Sequence, residues 1–104
     1  MIQQVMTYDI VPGVDQQAYQ AWAKATIGTM MRQPGLVEFR AHRNMLGTPQ
    51  VRTTTEWQSL ADFEKFWLGP WQPIDAELRK FATNIRVELW GPSPNVPEPL
   101  RPGK

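Results

Sequence analysis

The stretch Pro34–Trp67, PGLVEFRAHRNMLGTPQVRTTTEWQSLADFEKFW, predicts a strand, a tight turn, a second strand and a helix that starts where that strand ends. Thr53–Thr55 favour strand over helix, because β-branched side chains pack well on a pleated sheet. The short turn Gly47–Pro49 predicts that the two strands pair antiparallel. Ser59 is a good helix N-cap with Asp62 three residues later, so the helix should begin there.

The regions on either side of this stretch predict further strands and helices. Asp15 can cap a helix whose apolar residues follow helical spacing, and Gln33-Pro34-Gly35 should end it. The other predicted elements are strands at Ile2–Val11, Leu36–Leu46, Gln50–Gln58 and Asn84–Trp90, a helix from Ser59, and a helix from about Pro73 to Thr83. The order β-α-β-β-α-(α)-β predicts an α+β, ferredoxin-like βαββαβ fold, with a four-stranded antiparallel sheet and its helices on one face.

The strands carry apolar residues at both odd and even positions. Because the helices are expected on one face, the other face should be apolar and uncovered by its own chain. Soluble monomers rarely expose such a face, and a second copy related by a two-fold axis would cover it. The pattern therefore predicts a homodimer through the sheet face.

Composition excludes several classes of protein. The chain has 104 residues, 41% of them hydrophobic, a net charge of +1, no cysteine and one histidine, His42. Disulfides, Cys nucleophiles and a multi-His metal centre within one chain are therefore excluded, and no metal is expected. No basic run predicts nucleic-acid binding, and no apolar run is long enough to span a membrane. Without a signal-peptide pattern, a cytoplasmic protein is expected.

The chain divides into a domain at residues 1–91 and a proline-rich tail at residues 92–104. Five prolines in the tail forbid a helix or a central strand, so an extended, polyproline-like segment is expected. The tail is either a disordered end or an arm that lies across a partner subunit through Val96 and Leu100.

Several short motifs are shared with a known family. They are Pro12-Gly13 followed by Asp15 and Tyr19, then Pro34-Gly35-Leu36, and above all Glu56-Trp57-Gln58-Ser59 with Leu60, Ala61 and Phe63. With them, the chain resembles the antibiotic biosynthesis monooxygenase (ABM-type) group of dimeric α+β barrels. The resemblance implies a cofactor-independent monooxygenase that acts on a small aromatic or polyketide-like molecule between sheet and helices. The group also contains haem-degrading enzymes and proteins without a known role.

Oxygenation without a cofactor needs a substrate that loses a proton and becomes an anion able to react with oxygen. The protein supplies a dry aromatic cavity, a base, and donors or a cation near the developing oxyanion. His42 is the base that the sequence offers, because its unperturbed pKa lies near neutrality. It shares a strand face with Arg40, which is a candidate to contact the substrate. Alternatively, His42 is a strand-end or interface histidine.

Aromatic and charged residues elsewhere are further candidates. Trp67 and Trp71 follow the third strand with Phe63, where the resemblance implies a pocket wall, and flat walls suit planar ligands. Each Trp is alternatively a core or dimer-contact residue. Tyr8 near the end of the first strand is expected to reach the pocket. Arg86 is expected to offset the substrate's negative charge, or else to pair with a nearby glutamate.

Other activities and roles stay open. The resemblance puts the Asn of the haem-degrading enzymes near Met6, and Leu60–Thr83 contains no histidine, so haem degradation by that arrangement is disfavoured. The alternatives are a non-catalytic hydrophobic-ligand-binding or stress-response protein, and a structural dimer whose cavity is filled by its own Trp residues. A pocket of several hundred Å³ with His42, Arg86 or Tyr8 pointing inward would favour the enzyme.

Overall fold

The computed structural model describes residues 1–103, so Lys104, the last residue of the predicted tail, lies outside the described residues. The elements are β1 (Ile2–Ile10), α1 (Gln16–Met30), β2 (Leu36–Arg43), β3 (Val51–Trp57), α2 (Leu60–Leu68), α3 (Trp71–Leu78) and β4 (Ala82–Trp90). The strands form one antiparallel sheet in the order β2-β3-β1-β4. The predicted α+β, ferredoxin-like fold is therefore confirmed.

Both predicted helix starts are confirmed by their caps. The Asp15 side chain accepts hydrogen bonds from the first-turn backbone N–H groups of α1, and Ser59 Oγ accepts one from Asp62 N at the start of α2. Gly35, with φ +85°, packs its Cα directly against the Asp62 side chain, where a Cβ would collide. Its carbonyl accepts a hydrogen bond from Gln58 N at 2.8 Å, so the loop before β2 is fixed to the β3–α2 junction.

Four predicted boundaries differ from the structure by two or more residues. Helix α3 begins at Trp71 rather than Pro73, because Pro70 already has helical geometry, and Pro73 is tolerated in the first turn where no N–H is required. It ends at Leu78, and β4 starts early, at Ala82. Strand β2 ends at Arg43 rather than Leu46 because Asn44 turns the chain, with its Oδ1 accepting from Leu46 N at 3.0 Å.

The two faces of the sheet differ in polarity. The inner face, which the helices cover, buries Met6, Tyr8 and Trp57. The expectation of an apolar outer face is wrong, because most outer positions are polar or charged and Val5 is an isolated aliphatic residue among them. The outer face comprises Gln3, Val5, Thr7 and Asp9 on β1, Glu38, Arg40 and His42 on β2, Arg52, Thr54 and Glu56 on β3, and Arg86, Glu88 and Trp90 on β4.

The tail beyond β4 contains no helix or strand over residues 92–103, and its side chains are exposed. Within the same described chain, no helix combines the length and the apolar character that a membrane crossing requires.

Candidate active site between the sheet and the helices

A cavity of about 130 Å³ lies between the inner face of the sheet and helices α1 and α3. It is smaller than the roughly 300 Å³ at which drug-sized ligand pockets begin, and close to the roughly 150 Å³ cavity that holds one benzene. The size therefore suits a single aromatic ring. The lining residues are Gln4, Met6, Tyr8, Tyr19, Trp22, Ala23, Thr26, Ile27, Met30, Phe39, Ala41, Val51, Thr53, Thr55, Trp71 and Ile74.

The walls follow from the periodicity of each element. On β1, Gln4, Met6 and Tyr8 alternate with outer-face residues, so all three face the helices. On α1, the lining residues between Tyr19 and Met30 repeat at three- and four-residue intervals, which places them on one side of the helix. The apolar stripe that predicted this helix is therefore the stripe that closes the cavity.

Tyr8 and Tyr19 form a hydroxyl pair at the cavity wall, with 2.7 Å between their oxygen atoms. Tyr8 is 4% exposed, and burial raises its pKa, with a further increase from the Tyr19 hydrogen bond. Tyr8 is therefore neutral at physiological pH. One hydroxyl hydrogen occupies the hydrogen bond between the two rings, which leaves the other free for a further partner. Among the cavity-lining residues in the described chain, only these two can ionise.

A second set of polar side chains beside the cavity is joined by hydrogen bonds between β3 and β1. Trp57 Nε1 donates to Thr55 Oγ1 at 2.9 Å, and Thr55 Oγ1 donates to Gln4 Oε1 at 3.0 Å. All three residues are buried. Gln4 Nε2, at the end of this chain of hydrogen bonds, is buried without a hydrogen-bond partner within residues 1–103.

Of the three aromatic residues expected at the pocket wall, one lines the cavity. Trp71 lines the cavity, whereas Trp67 stacks behind it with ring centroids 5.2 Å apart and planes 10° apart. Phe63 stacks in turn on Trp67 at 5.5 Å. Trp67 and Phe63 therefore support the wall from outside and do not line the cavity.

The charged candidates lie on the outer face, away from the cavity. His42 on β2 lies opposite Arg52 in the register with β3, and both side chains are exposed. Arg40 pairs with Glu38 at 2.8 Å, and that hydrogen bond raises the pKa of Arg40. The expectation that these residues share one pocket with Tyr8 is not met, because strand residues at their positions point to the opposite side of the sheet.

Arg86 occupies the outer side of β4 and pairs with Glu88 at 3.1 Å, which is the surface pairing that the sequence left open. Nearby, Asp9 accepts hydrogen bonds from Gln50 N at 2.9 Å and Asn84 Nδ2 at 3.1 Å. Asp9 therefore holds the end of β1 to the adjacent strands. Across residues 1–103, no three His, Cys, Asp or Glu side chains are grouped to hold a metal ion.

Three cavity-lining residues, Gln4, Tyr19 and Thr55, are not among the site residues that the sequence predicts. A signal was present for Gln4, which shares its strand face with Tyr8 at an interval of four residues. The Tyr8–Tyr19 pairing depends on how α1 packs on the sheet, so no pattern within either element predicts it.

Comparison with known proteins places the chain in a family. The model of the antibiotic biosynthesis monooxygenase family matches residues 1–68, and the chain therefore belongs to that family. None of the curated proteins matches the sequence.

Solved structures of similar fold have diverse activities. SnoaB, a cofactor-independent oxygenase from Streptomyces nogalater, is 17% identical with a TM-score of 0.70, over 93% of this chain and 97% of its own. A hydroxynitrile lyase from Passiflora edulis is 13% identical with a TM-score of 0.72, over 86% of this chain and 90% of its own. A protein from Arabidopsis thaliana has a TM-score of 0.77 at 10% identity, over 88% of each chain. At these identities the likeness shows a shared fold.

Proposed function

We propose that the protein is a cofactor-independent monooxygenase that oxidises an electron-rich, single-ring phenol in the cavity between the sheet and the helices. The observation that carries this proposal is the Tyr8–Tyr19 hydroxyl pair, 2.7 Å apart, in the wall of an otherwise mostly apolar cavity. Membership of the antibiotic biosynthesis monooxygenase family supports the reaction class. The cavity volume of about 130 Å³ supports one ring rather than a fused polyketide.

In the proposed reaction, the phenol loses its hydroxyl proton and the phenolate gives electrons to dioxygen. A carbon–oxygen bond then forms at a ring position next to the hydroxyl. The resulting hydroperoxide loses water and leaves a quinone, so that one phenol and one O₂ yield one quinone and one H₂O. The apolar walls exclude water from the anion, and Trp71 supports the plane of the ring.

The two tyrosines would carry the proton out of the cavity. The substrate hydroxyl donates to Tyr8, the Tyr8 proton passes to Tyr19, and the half-buried Tyr19 releases its proton to water. Both residues are neutral before and after the transfer. This role agrees with the raised pKa of Tyr8, which keeps it from acting as a standing phenolate base. The scheme requires no cofactor.

The direct test is oxygen uptake by the purified protein without added cofactor. Trihydroxybenzenes serve as single-ring substrates and an anthrone as the fused-ring comparison. We expect uptake and quinone absorbance above the uncatalysed rate for the single rings, and little for the anthrone. A rate equal to the buffer blank across the panel would refute the proposed function.

A second candidate is a non-catalytic carrier of a small aromatic ligand. It is favoured by one observation: no histidine, acidic or basic side chain lines the cavity among the described residues. A carrier would bind single-ring phenols saturably under air without oxygen uptake, whereas the monooxygenase would consume one O₂ per phenol.

We also propose that the protein forms a homodimer through the outer face of the sheet. That face carries both charge signs side by side, with Glu38 and Glu56 near Arg40 and Arg52, so it can be complementary to itself about a two-fold axis. Trp90 on the same face is 55% exposed and would be partly buried by the partner subunit. Light scattering should give twice the chain mass of 12.0 kDa, and a monomer mass would exclude the dimer.

A further inference from the structure

The amide of Gln4 is a buried donor that the protein itself leaves without a partner. Gln4 is 5% exposed and lines the cavity, and its Nε2 carries two N–H groups with no acceptor among residues 1–103. Buried polar groups are nearly always hydrogen-bonded, because losing water without a replacement costs free energy. An unpaired donor on a side chain that lines a cavity therefore points to an acceptor brought by whatever fills that cavity.

The hydrogen-bond chain shows which end of the amide is left free. The Trp57 indole N–H can only donate, so Thr55 Oγ1 accepts from it at 2.9 Å. Thr55 Oγ1 donates its single hydrogen to the carbonyl end of Gln4 at 3.0 Å. With this orientation of the amide, the NH₂ end of Gln4 is the free end.

We propose that Gln4 determines specificity by donating a hydrogen bond to a neutral carbonyl oxygen of the ligand. The ligand class is a single-ring phenol with a ketone or aldehyde group, the ring against Trp71 and the hydroxyl toward Tyr8. Gln4 and Tyr8 lie on one face of β1 four residues apart, or about 13 Å between Cα atoms, so the two polar groups stand at separate ends of the cavity. The role of the hydroxyl rests on the proposed function; the role of the carbonyl rests on Gln4.

Charge selects a carbonyl over a carboxylate. Among the described residues no Lys, Arg or His lines the cavity, so a carboxylate would be buried without a counter-charge. A ketone or aldehyde oxygen needs only the amide donor. A ring with an alkyl group in the same place would leave Nε2 unpaired, and sites with an unpaired buried donor reject such analogues.

The test is calorimetric titration of the full chain with three matched ligands, performed without oxygen so that turnover does not interfere. We expect 4-hydroxyacetophenone to bind about tenfold more tightly than 4-ethylphenol, the equivalent of one good hydrogen bond. We expect 4-hydroxybenzoate to bind more weakly than both. Equal affinities for the ketone and the ethyl compound in the wild-type protein would overturn the proposal, and would indicate that a bound water already satisfies Nε2.

Two glutamine variants provide a matched comparison. Gln4→Met keeps the side-chain length and removes the donor, so the tenfold preference should fall to about one. Gln3→Met changes the neighbouring glutamine on the outer face and should leave the preference at tenfold. An undiminished preference in Gln4→Met would also overturn the proposal. If Gln4→Met does not fold, the three-ligand comparison in the wild-type protein still tests whether Gln4 donates to the carbonyl oxygen.

Oxygen uptake separates this proposal from the proposed function. Carbonyl-selective binding without oxygen uptake under air refutes the oxygenase and supports the role of Gln4. Oxygen uptake that is indifferent to the carbonyl group, and unchanged in Gln4→Met, supports the oxygenase and refutes the role of Gln4.

Discussion

The inner and outer faces of the sheet come from the same strands but carry opposite chemistry. The inner face encloses a cavity whose polar groups are neutral hydroxyls and one amide, with Tyr8 and Gln4 on β1. The outer face displays His42 together with arginines and glutamates in exposed ion pairs. The residue types most often associated with catalysis are therefore on the open face. Chemistry in the enclosed space has to depend on hydrogen bonding and on the substrate's own acidity.

The largest expected difference between the faces is in stability. Trp57 is 0% exposed on the inner face and stacks on Phe66 at 5.0 Å, whereas Trp90 is 55% exposed on the outer face. Trp57→Ala should lower the free energy of unfolding by about 3–5 kcal/mol, and Trp90→Ala by about 1 kcal/mol or less at protein concentrations where the chain is a monomer. Urea denaturation over a range of protein concentrations measures both. A Trp90→Ala cost that grows with protein concentration would support the proposed homodimer, whereas a cost as large as that of Trp57→Ala in the monomer would contradict the contrast between the faces.

The next largest effect concerns turnover. Tyr8→Phe removes the hydroxyl that would accept the substrate proton, and should lower kcat about 100-fold while the fold is retained. The matched outer-face variant, His42→Ala, should change kcat less than about twofold, because its side chain lies outside the cavity. Oxygen-electrode assays of both variants measure this contrast. The reverse outcome, with His42→Ala inactive and Tyr8→Phe normal, would place the chemistry on the outer face.

The pH dependence of stability offers a further test of the inner face. Burial raises the pKa of Tyr8 above its ordinary value of about 10, so above that pH the unfolded chain releases this proton and the folded chain keeps it. Stability from Tyr8 is thus fully present below pH 10 and is lost as pH rises, by about 1.4 kcal/mol per pH unit. The difference in unfolding free energy between wild type and Tyr8→Phe should be flat from pH 7 to 9 and then decline. A flat difference up to pH 11 would show that Tyr8 is not shielded from water.

The smallest effect is expected from the outer-face ion pairs. Arg86 and Glu88 are 3.1 Å apart but their side chains are 75% and 37% exposed, so solvent screens the attraction. Arg86→Ala should change the free energy of unfolding by less than about 1 kcal/mol, and oxygen uptake less than twofold. Thermal denaturation with and without 0.5 M salt is the measurement. A large loss of activity in this variant would restore Arg86 as a substrate-binding residue.

Much of the fold follows from local sequence signals. Asp15 and Ser59 cap the helices that their positions predict, and the turn before Gln50 yields the predicted antiparallel pairing. The boundary errors have local causes as well, since Pro70 had the geometry expected of Pro73. It is harder to predict which face of the sheet packs against the helices, because both the odd and the even strand positions include some apolar residues. Burial, rather than polarity alone, decides which parity faces the helices.

The site was predicted less completely than the fold. Tyr8 and Trp71 line the cavity. Chemical type alone favours His42 and Arg86 as catalytic residues, but the strand register turns both outward. The hydrogen bonds from Trp57 through Thr55 to Gln4 cross between strands that are about fifty residues apart in sequence, since Thr55 and Gln4 differ by 51. Such contacts depend on the cross-strand register, which cannot be determined from a single sequence.

A small aromatic ligand is proposed to bind between the helices and the inner face of the sheet. Methionine methyl NMR tests it most directly, because the five methionines are distributed over the molecule. Met6 and Met30 line the cavity, while Met45 lies in the turn between β2 and β3, near His42, and is 78% exposed. On titration with 4-hydroxyacetophenone, the Met6 and Met30 methyl signals should shift together and saturate while that of Met45 stays in place. A saturating shift of Met45, with Met6 and Met30 unmoved, would contradict the account.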